Sequence, residues 1–330
     1  MKCLSSVFSP LARTAVSRAR FEGRALAQRL VHPPPHDRAS IVFFNDMFGQ
    51  ALPLPEAPGV VYSADRTQTD TADAVIFHVP SLASLPLWKP EGQIWIAWSL
   101  ESSVNYPRLR DPGFMSRMDL TMTYRQDADS WQPYFMWYPA DSFLTTLARP
   151  PRPKASGQLI ASFVSSSCDE SARLAYLAEL AGSLDLHSYG RRGGNRTLAE
   201  DRGRESKLEA IAGYKLTVAF ENSIDEDYVT EKLFDPLVAG SVPVYLGAPN
   251  IDELAPGDHC FINALDFGSP RELAEHLRYL DSDEDAYRAY FAWKNRPLRP
   301  AFQARFERYR RESSWTYVSE LVLARIRRAR

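Results

Sequence analysis

Residues 215–250 read KLTVAFENSIDEDYVTEKLFDPLVAGSVPVYLGAPN, and the changes of pattern inside this stretch decide the fold. Residues 216–220 form a short, largely apolar run, the pattern of a strand covered on both faces of a parallel sheet. A dense polar cluster follows: Glu221, Asn222, Ser223, Asp225, Glu226, Asp227 and Tyr228. Thr230, Glu231 and Lys232 then open a helix predicted over 229–239, which Pro236 should kink or shorten. A second strand is predicted over 242–246, with Gly247 and Pro249 behind it. Strand, helix and strand in this order make a βαβ unit with a right-handed crossover.

The same alternation extends on both sides. Strands are predicted over 159–164 and 184–189, and helices over 170–180, 205–214 and 271–280. Upstream, apolar runs at 41–44, 60–62, 74–79, 93–99 and 120–124 read as buried strands, with weaker helix patterns between them. Prolines 150, 151 and 153 mark a linker. The expected organisation is an α/β chain of two Rossmann-like domains facing a central cleft, at 40–150 and 151–300. A terminal segment follows at 301–330, helical over 315–330 with Val318, Leu321, Val322 and Ile326 on one stripe. Residues 1–39 form a basic leader carrying Arg13, Arg18, Arg20, Arg24 and Arg29 and ending at Pro33, Pro34 and Pro35. A targeting segment, a helix lying on a membrane surface and a disordered leader all fit that composition.

The chain has 330 residues and a formal net charge of −2, so it lacks the basic footprint of a nucleic-acid binder. Its three cysteines, Cys3, Cys168 and Cys260, are widely spaced and odd in number, which excludes a disulfide framework and a zinc motif. No apolar run reaches the roughly 18–20 residues of a membrane span. The histidines show no paired ligand spacing, and Asp225-Glu226-Asp227 reads as a solvated acidic loop rather than a metal–diphosphate site. No metal site is expected.

Ligands of doubly wound sheets sit outside the carboxyl ends of the strands, where the polar cluster lies. A helix start offers free N–H groups and the positive end of its dipole to an anion, and Lys232 adds a charge. Glu221 and Glu231 stand where they can accept hydrogen bonds from ribose or sugar hydroxyls.

Three segments are together similar to the signature of the α-1,3/1,4-fucosyltransferases, glycosyltransferase family 10. They are Phe220-Glu221-Asn222-Ser223, then 227–233 (DYVTEKL) and 239–250 (AGSVPVYLGAPN). Fainter echoes are 98–102 (WSLES), 123–129 with Pro133-Tyr134, 164–173 and 185–190, so the resemblance covers roughly 90–300. It implies a GT-B fold, GDP-fucose as donor and transfer with inversion to a GlcNAc- or Glc-containing glycan. It implies Glu101 as general base, and Glu231 at the ribose and the transferring sugar, counted with Glu101 as catalytic. It places Arg173 and Lys232 on the pyrophosphate, with Asn222 and Tyr228 lining the donor pocket. No cofactor is required on this reading, Mn²⁺ or Mg²⁺ being stimulators at most. The sequence departs from the family pattern at Ser103, where a proline often follows Glu-Ser, and it lacks the cysteines of the animal enzymes. The second departure points to a cytoplasmic or peripheral-membrane setting. The alternatives are a same-fold transferase using another GDP-sugar and a degenerate glycan-binding protein. The partners expected are GDP-fucose and a glycan, with peripheral membrane contact through the basic chain ends and no nucleic acid.

Overall fold

The structure, a computed structural model, describes residues 38–154, 157–312 and 314–329; the basic leader therefore lies outside the described residues. Two all-parallel sheets organise it. The first has the strand order β2-β1-β3-β4-β5-β6, made of Ala39–Phe43 (β1), Val60–Ser63 (β2), Ala74–His78 (β3), Ile94–Ser99 (β4), Leu120–Thr123 (β5) and Ser130–Trp131 (β6). The second has the order β11-β10-β9-β7-β8, made of Ile160–Ser162 (β7), Leu186–Ser188 (β8), Leu216–Phe220 (β9), Val242–Leu246 (β10) and Ile262–Asn263 (β11). In each sheet the strand order reverses once, between β1 and β3 and between β7 and β9. Those reversals leave a crevice at the carboxyl ends.

The central strands are buried on both faces, which is why their sequences are apolar runs rather than alternations. On one face of the first sheet, Ile41, Ile76, Ile96 and Met122 pack against Val318 and Val322 of helix Trp315–Ala329. The apolar stripe of this last helix is thus covered by the first sheet, and the chain returns to its starting domain to end. In the second sheet, Val218, Phe220, Val244 and Leu246 face Leu273 and Leu277 of helix Pro270–Ser282. Its other face carries helix Glu231–Ala239, joined by Phe135, Phe143 and Leu147 and by Phe302 and Phe306. The passage to the second core thus precedes the proline linker, because helix Ala140–Leu147 already packs there.

Helix Glu231–Ala239 continues one turn past Pro236 rather than ending at it. It closes at Gly240, whose φ of 77° places it in the left-handed region, and the Gly240 and Ser241 amides both donate to Pro236 O. A Cβ at Gly240 would also lie 2.9 Å from Pro151 Cα, so a side chain there meets both strain and a clash. Strands β6 and β11 have two residues each, too few to show a period, and the sequence reading does not find them. No helix among the described residues is long and apolar enough to cross a membrane.

Candidate active site

The reversal in the second sheet sets the ends of β7 and β9 side by side, and the polar cluster of 221–232 grows from β9. Glu221, the first residue past the strand, is fully buried. Its Oε1 accepts the Thr230 amide at 2.7 Å and its Oε2 the Thr230 hydroxyl at 2.8 Å. Lys232 Nζ approaches the same Oε2 at 3.2 Å, and also Glu231 Oε1 at 3.3 Å and Thr230 Oγ1 at 2.9 Å. Thr230 caps the helix by accepting the Lys232 amide. Gly247, ending β10, passes so close that a Cβ there would lie 2.6 Å from Glu221 Cγ. Glu221 is therefore a brace for the helix start, not the free acceptor of sugar hydroxyls expected from its sequence position. Glu231 remains partly exposed and keeps that task open, with the partly exposed Lys232 ammonium beside it as a donor. Burial works against the charge of Lys232, but Glu221 and Glu231 outweigh it and hold the ammonium protonated. Burial likewise opposes ionisation of Glu231; Lys232 and Lys207 prevail and bring its carboxyl down to about 2.

Arg173 opens helix Arg173–Ala181 immediately after Ala172, whose φ of 56° is left-handed. Its side chain is 1% exposed. The guanidinium donates to the backbone oxygens of Phe220 at 3.1 Å, Cys168 at 3.1 Å and Ser166 at 3.4 Å. Nε is buried, with no hydrogen-bond partner among the described residues, 3.9 Å from Asp169 Oδ1. Arg173 thus lies beside the cluster and ties the loop after β7 to the end of β9, a bracing task that the sequence reading does not foresee.

Glu101 stands on the other sheet, two residues beyond β4. Its amide donates to Ser99 Oγ and its carbonyl accepts from the same hydroxyl, so the turn is stiff. Tyr228, from the second domain, donates to Glu101 Oε2 at 3.3 Å. Tyr228 is itself buried edge-on against Tyr124 and Tyr134, with ring centroids 5.0 and 6.0 Å away. It therefore joins the two halves rather than lining an open pocket. Burial raises the Glu101 carboxyl above its ordinary range against the pull of Lys232 and the Tyr228 hydrogen bond, and Glu231 adds to the rise. A carboxylate of this kind, facing a cationic helix start, can accept a proton beside a leaving anion. Asn222, buried at the end of β9, accepts from Asn105 Nδ2 at 2.9 Å across the same interface.

Asp225 and Asp227 do not form a solvated loop; both are buried. Asp227 accepts the Gln126 amide at 3.0 Å, its side chain at 2.6 Å, and Asn250 Nδ2 at 2.8 Å. Asp225 accepts from Ser103, Tyr124 and Arg110 of the first domain. Sequence spacing gives no sign of the bonds to Ser103, Arg110, Tyr124 and Gln126, whose partners lie more than a hundred residues away. Missed as well is Asp235, buried in the middle of an apolar helix with Arg204, Lys207 and Tyr138 around it. An acid at a core position of that helix was the available signal.

Known proteins match this arrangement along nearly the whole chain. The family model described as "Fucosyltransferase, N-terminal" matches residues 37–135, and "Glycosyltransferase family 10 (fucosyltransferase) C-term" matches 153–320. The human protein named 4-galactosyl-N-acetylglucosaminide 3-alpha-L-fucosyltransferase FUT5 is 35% identical over 284 residues, 81% of this chain and 72% of that relative. The Mus musculus 4-galactosyl-N-acetylglucosaminide 3-alpha-L-fucosyltransferase 9 is 34% identical, over 75% of this chain and 69% of its own length. Among solved structures, an alpha1,3-fucosyltransferase with GDP aligns at a TM-score of 0.56 and 14% identity, covering 90% of each chain. A second crystal structure of an alpha1,3-fucosyltransferase aligns at a TM-score of 0.55 and 16% identity, covering 89% of this chain and 90% of that one. The two parallel-sheet domains are thus a GT-B fold, and the chain belongs to the glycosyltransferase family 10 fucosyltransferases, a family of enzymes.

Proposed function

We propose that this chain transfers L-fucose from GDP-β-L-fucose to a hydroxyl of a GlcNAc- or Glc-containing glycan, forming an α-1,3 or α-1,4 linkage with inversion. The observation that carries the reading is the 3.3 Å bond from Tyr228 to Glu101, which sets a base on one sheet against the cationic helix start of the other. In the proposed step Glu101 takes the proton of the acceptor hydroxyl as that oxygen attacks the anomeric carbon from the face opposite GDP. The bond from that carbon to the β-phosphate oxygen breaks, and GDP leaves with the electron pair. Lys232 and the free N–H groups at the start of helix Glu231–Ala239 balance the charge growing on the diphosphate. Arg173 lends its charge from behind, and Glu231 accepts hydroxyls of the ribose and the transferring sugar. The named human and mouse relatives act on a galactosyl-N-acetylglucosaminide, which makes N-acetyllactosamine the first acceptor to try.

The step needs no divalent metal, since fixed cations do the work that a metal would do. The test offers GDP-fucose, GDP-mannose and GDP-glucose in turn with N-acetyllactosamine and a glycan array, and NMR reads the new anomeric proton. An α-fucoside from the β-linked donor is expected. Transfer from another GDP-sugar alone, or glycan binding without turnover, overturns the proposal in favour of a different donor or a lectin-like protein.

A further inference from the structure

The proposed reaction leaves the acidic triplet 225–227 unused, and its first member is a heavily bonded carboxylate at the domain interface. Asp225 belongs to the loop after β9, yet its side-chain partners all come from the first domain. Oδ2 accepts the Ser103 hydroxyl at 2.6 Å, the Tyr124 hydroxyl at 2.6 Å, the Ser103 amide at 3.1 Å and the Ser102 hydroxyl at 3.4 Å. Oδ1 pairs with Arg110 Nη2 at 2.7 Å, and Arg110 Nε donates in turn to Ser103 Oγ at 2.7 Å. The carboxylate is 3% exposed, so these charge-assisted bonds form with little competition from water.

Ser103 lies two residues after Glu101, in a turn already stiffened by Ser99 and by the Val104 amide on Ser102 Oγ. Tyr228 lies three residues after Asp225, its amide bonded to Asp225 O, and its hydroxyl reaches Glu101. The contacts close a ring: Glu101, its turn, Ser103, Asp225, the loop, Tyr228 and back to Glu101. The ring also accounts for the departure at Ser103. A proline there has neither the amide hydrogen nor the hydroxyl that Asp225 accepts.

We propose that Asp225 is a positioning residue for transfer, holding the turn that carries Glu101 at a fixed distance from the donor-binding helix. The inference rests on the proposed role of Glu101 as base. It adds that the base is aimed by a carboxylate of the opposite domain. A displacement of about 1 Å costs on the order of a hundredfold in rate, so a loosened turn acts on kcat before it acts on donor affinity.

The test is Asp225→Asn in the full chain, with circular dichroism for folding, calorimetry for GDP, and kcat and kcat/KM as functions of pH. Asparagine loses the ion pair with Arg110 and presents an amide where donors now point. GDP affinity should stay at the wild-type value while kcat falls on the order of ten- to a hundredfold. The groups that act on the Glu101 carboxyl are Lys232 and Glu231 by charge and the Tyr228 hydroxyl, with the Tyr106 and Tyr134 hydroxyls beside it. Burial is the largest influence on it, so water entering through a loosened ring should move the acid limb of kcat/KM to lower pH. A purely structural clamp would lower Tm and leave that limb in place. A folded variant with unchanged kcat and acid limb, or one whose only defect is weak GDP binding, overturns the inference. Should Asp225→Asn fail to fold, Ser103→Ala and Tyr124→Phe each remove one hydroxyl bonded to Asp225 and leave its carboxylate in place; they carry the same two readouts, and an unmoved limb in both is equally decisive. A wild-type chain that transfers nothing from GDP-fucose overturns the reading of Glu101 itself, a result distinct from an unaltered variant of an active enzyme.

Discussion

The loops that leave β9 and β4 do comparable work in opposite ways. The helix start that follows β9 is locally built: Glu221, Thr230, Glu231 and Lys232 satisfy one another within a dozen residues, while Asp225 and Asp227 between them bond across the interface. The loop after β4 owes the environment of its key carboxylate to distant residues, with Tyr228 and Lys232 both supplied by the other domain. On the proposed reading, the donor site is built within the second domain, whereas the base is set up only when the domains meet. Cutting the first loop should therefore damage binding, and cutting the second should damage chemistry.

The largest expected effect sharpens that division. Glu101→Gln keeps the shape of the turn and removes the proton acceptor, and turnover should fall ~10²–10⁴-fold, read as kcat at saturating donor and acceptor. A variant retaining more than about half of normal turnover would place the base elsewhere. The pH profile follows with its sign fixed by burial. Glu101 must be ionised to act and its carboxyl is raised, so kcat/KM should drop as pH falls while still above the ordinary glutamate value of about 4.3.

Next in size is the donor side. Lys232→Ala and Arg173→Ala should each weaken GDP and GDP-fucose by about 1.5–3 kcal/mol in calorimetric titrations, the range of charge-assisted contacts. Unchanged GDP binding in both would move the pyrophosphate away from the helix start. Arg173 also braces backbone carbonyls and Lys232 pairs with the buried Glu221, so both variants should show a lowered Tm with no ligand present. A smaller effect probes the return of the chain to the first domain. Val322 is fully buried against β1 and β3, and Val322→Ala should cost about 1–3 kcal/mol in urea unfolding without altering GDP affinity. The smallest effect is a null: excess EDTA should leave turnover in place. Loss restored by Mn²⁺ would require Asp225 or Asp227 to leave the hydrogen bonds that hold the domains.

What was legible in the sequence follows the same divide. The parallel sheets could be read because buried central strands such as 216–220 and 242–246 are apolar along their length. The polar helix start at 230–232 could be read because its bonds are local. Glu101 is singled out only through resemblance, since the groups that act on its carboxyl, Lys232, Tyr228 and Glu231, lie far along the chain. The bonds of Asp225 were illegible for the same reason, and composition alone made the triplet look solvated. Glu221 was misjudged because a carboxylate just past a strand end looks available until Thr230 and Gly247 are seen to enclose it.

The division of labour between the two loops is tested most directly by calorimetric titration of GDP-fucose into Glu101→Gln. The account predicts a dissociation constant equal to that of the wild-type chain, with turnover lost in the same preparation. A dissociation constant raised tenfold or more would make Glu101 part of the donor site, and the separation of binding and chemistry between the two domains would be contradicted.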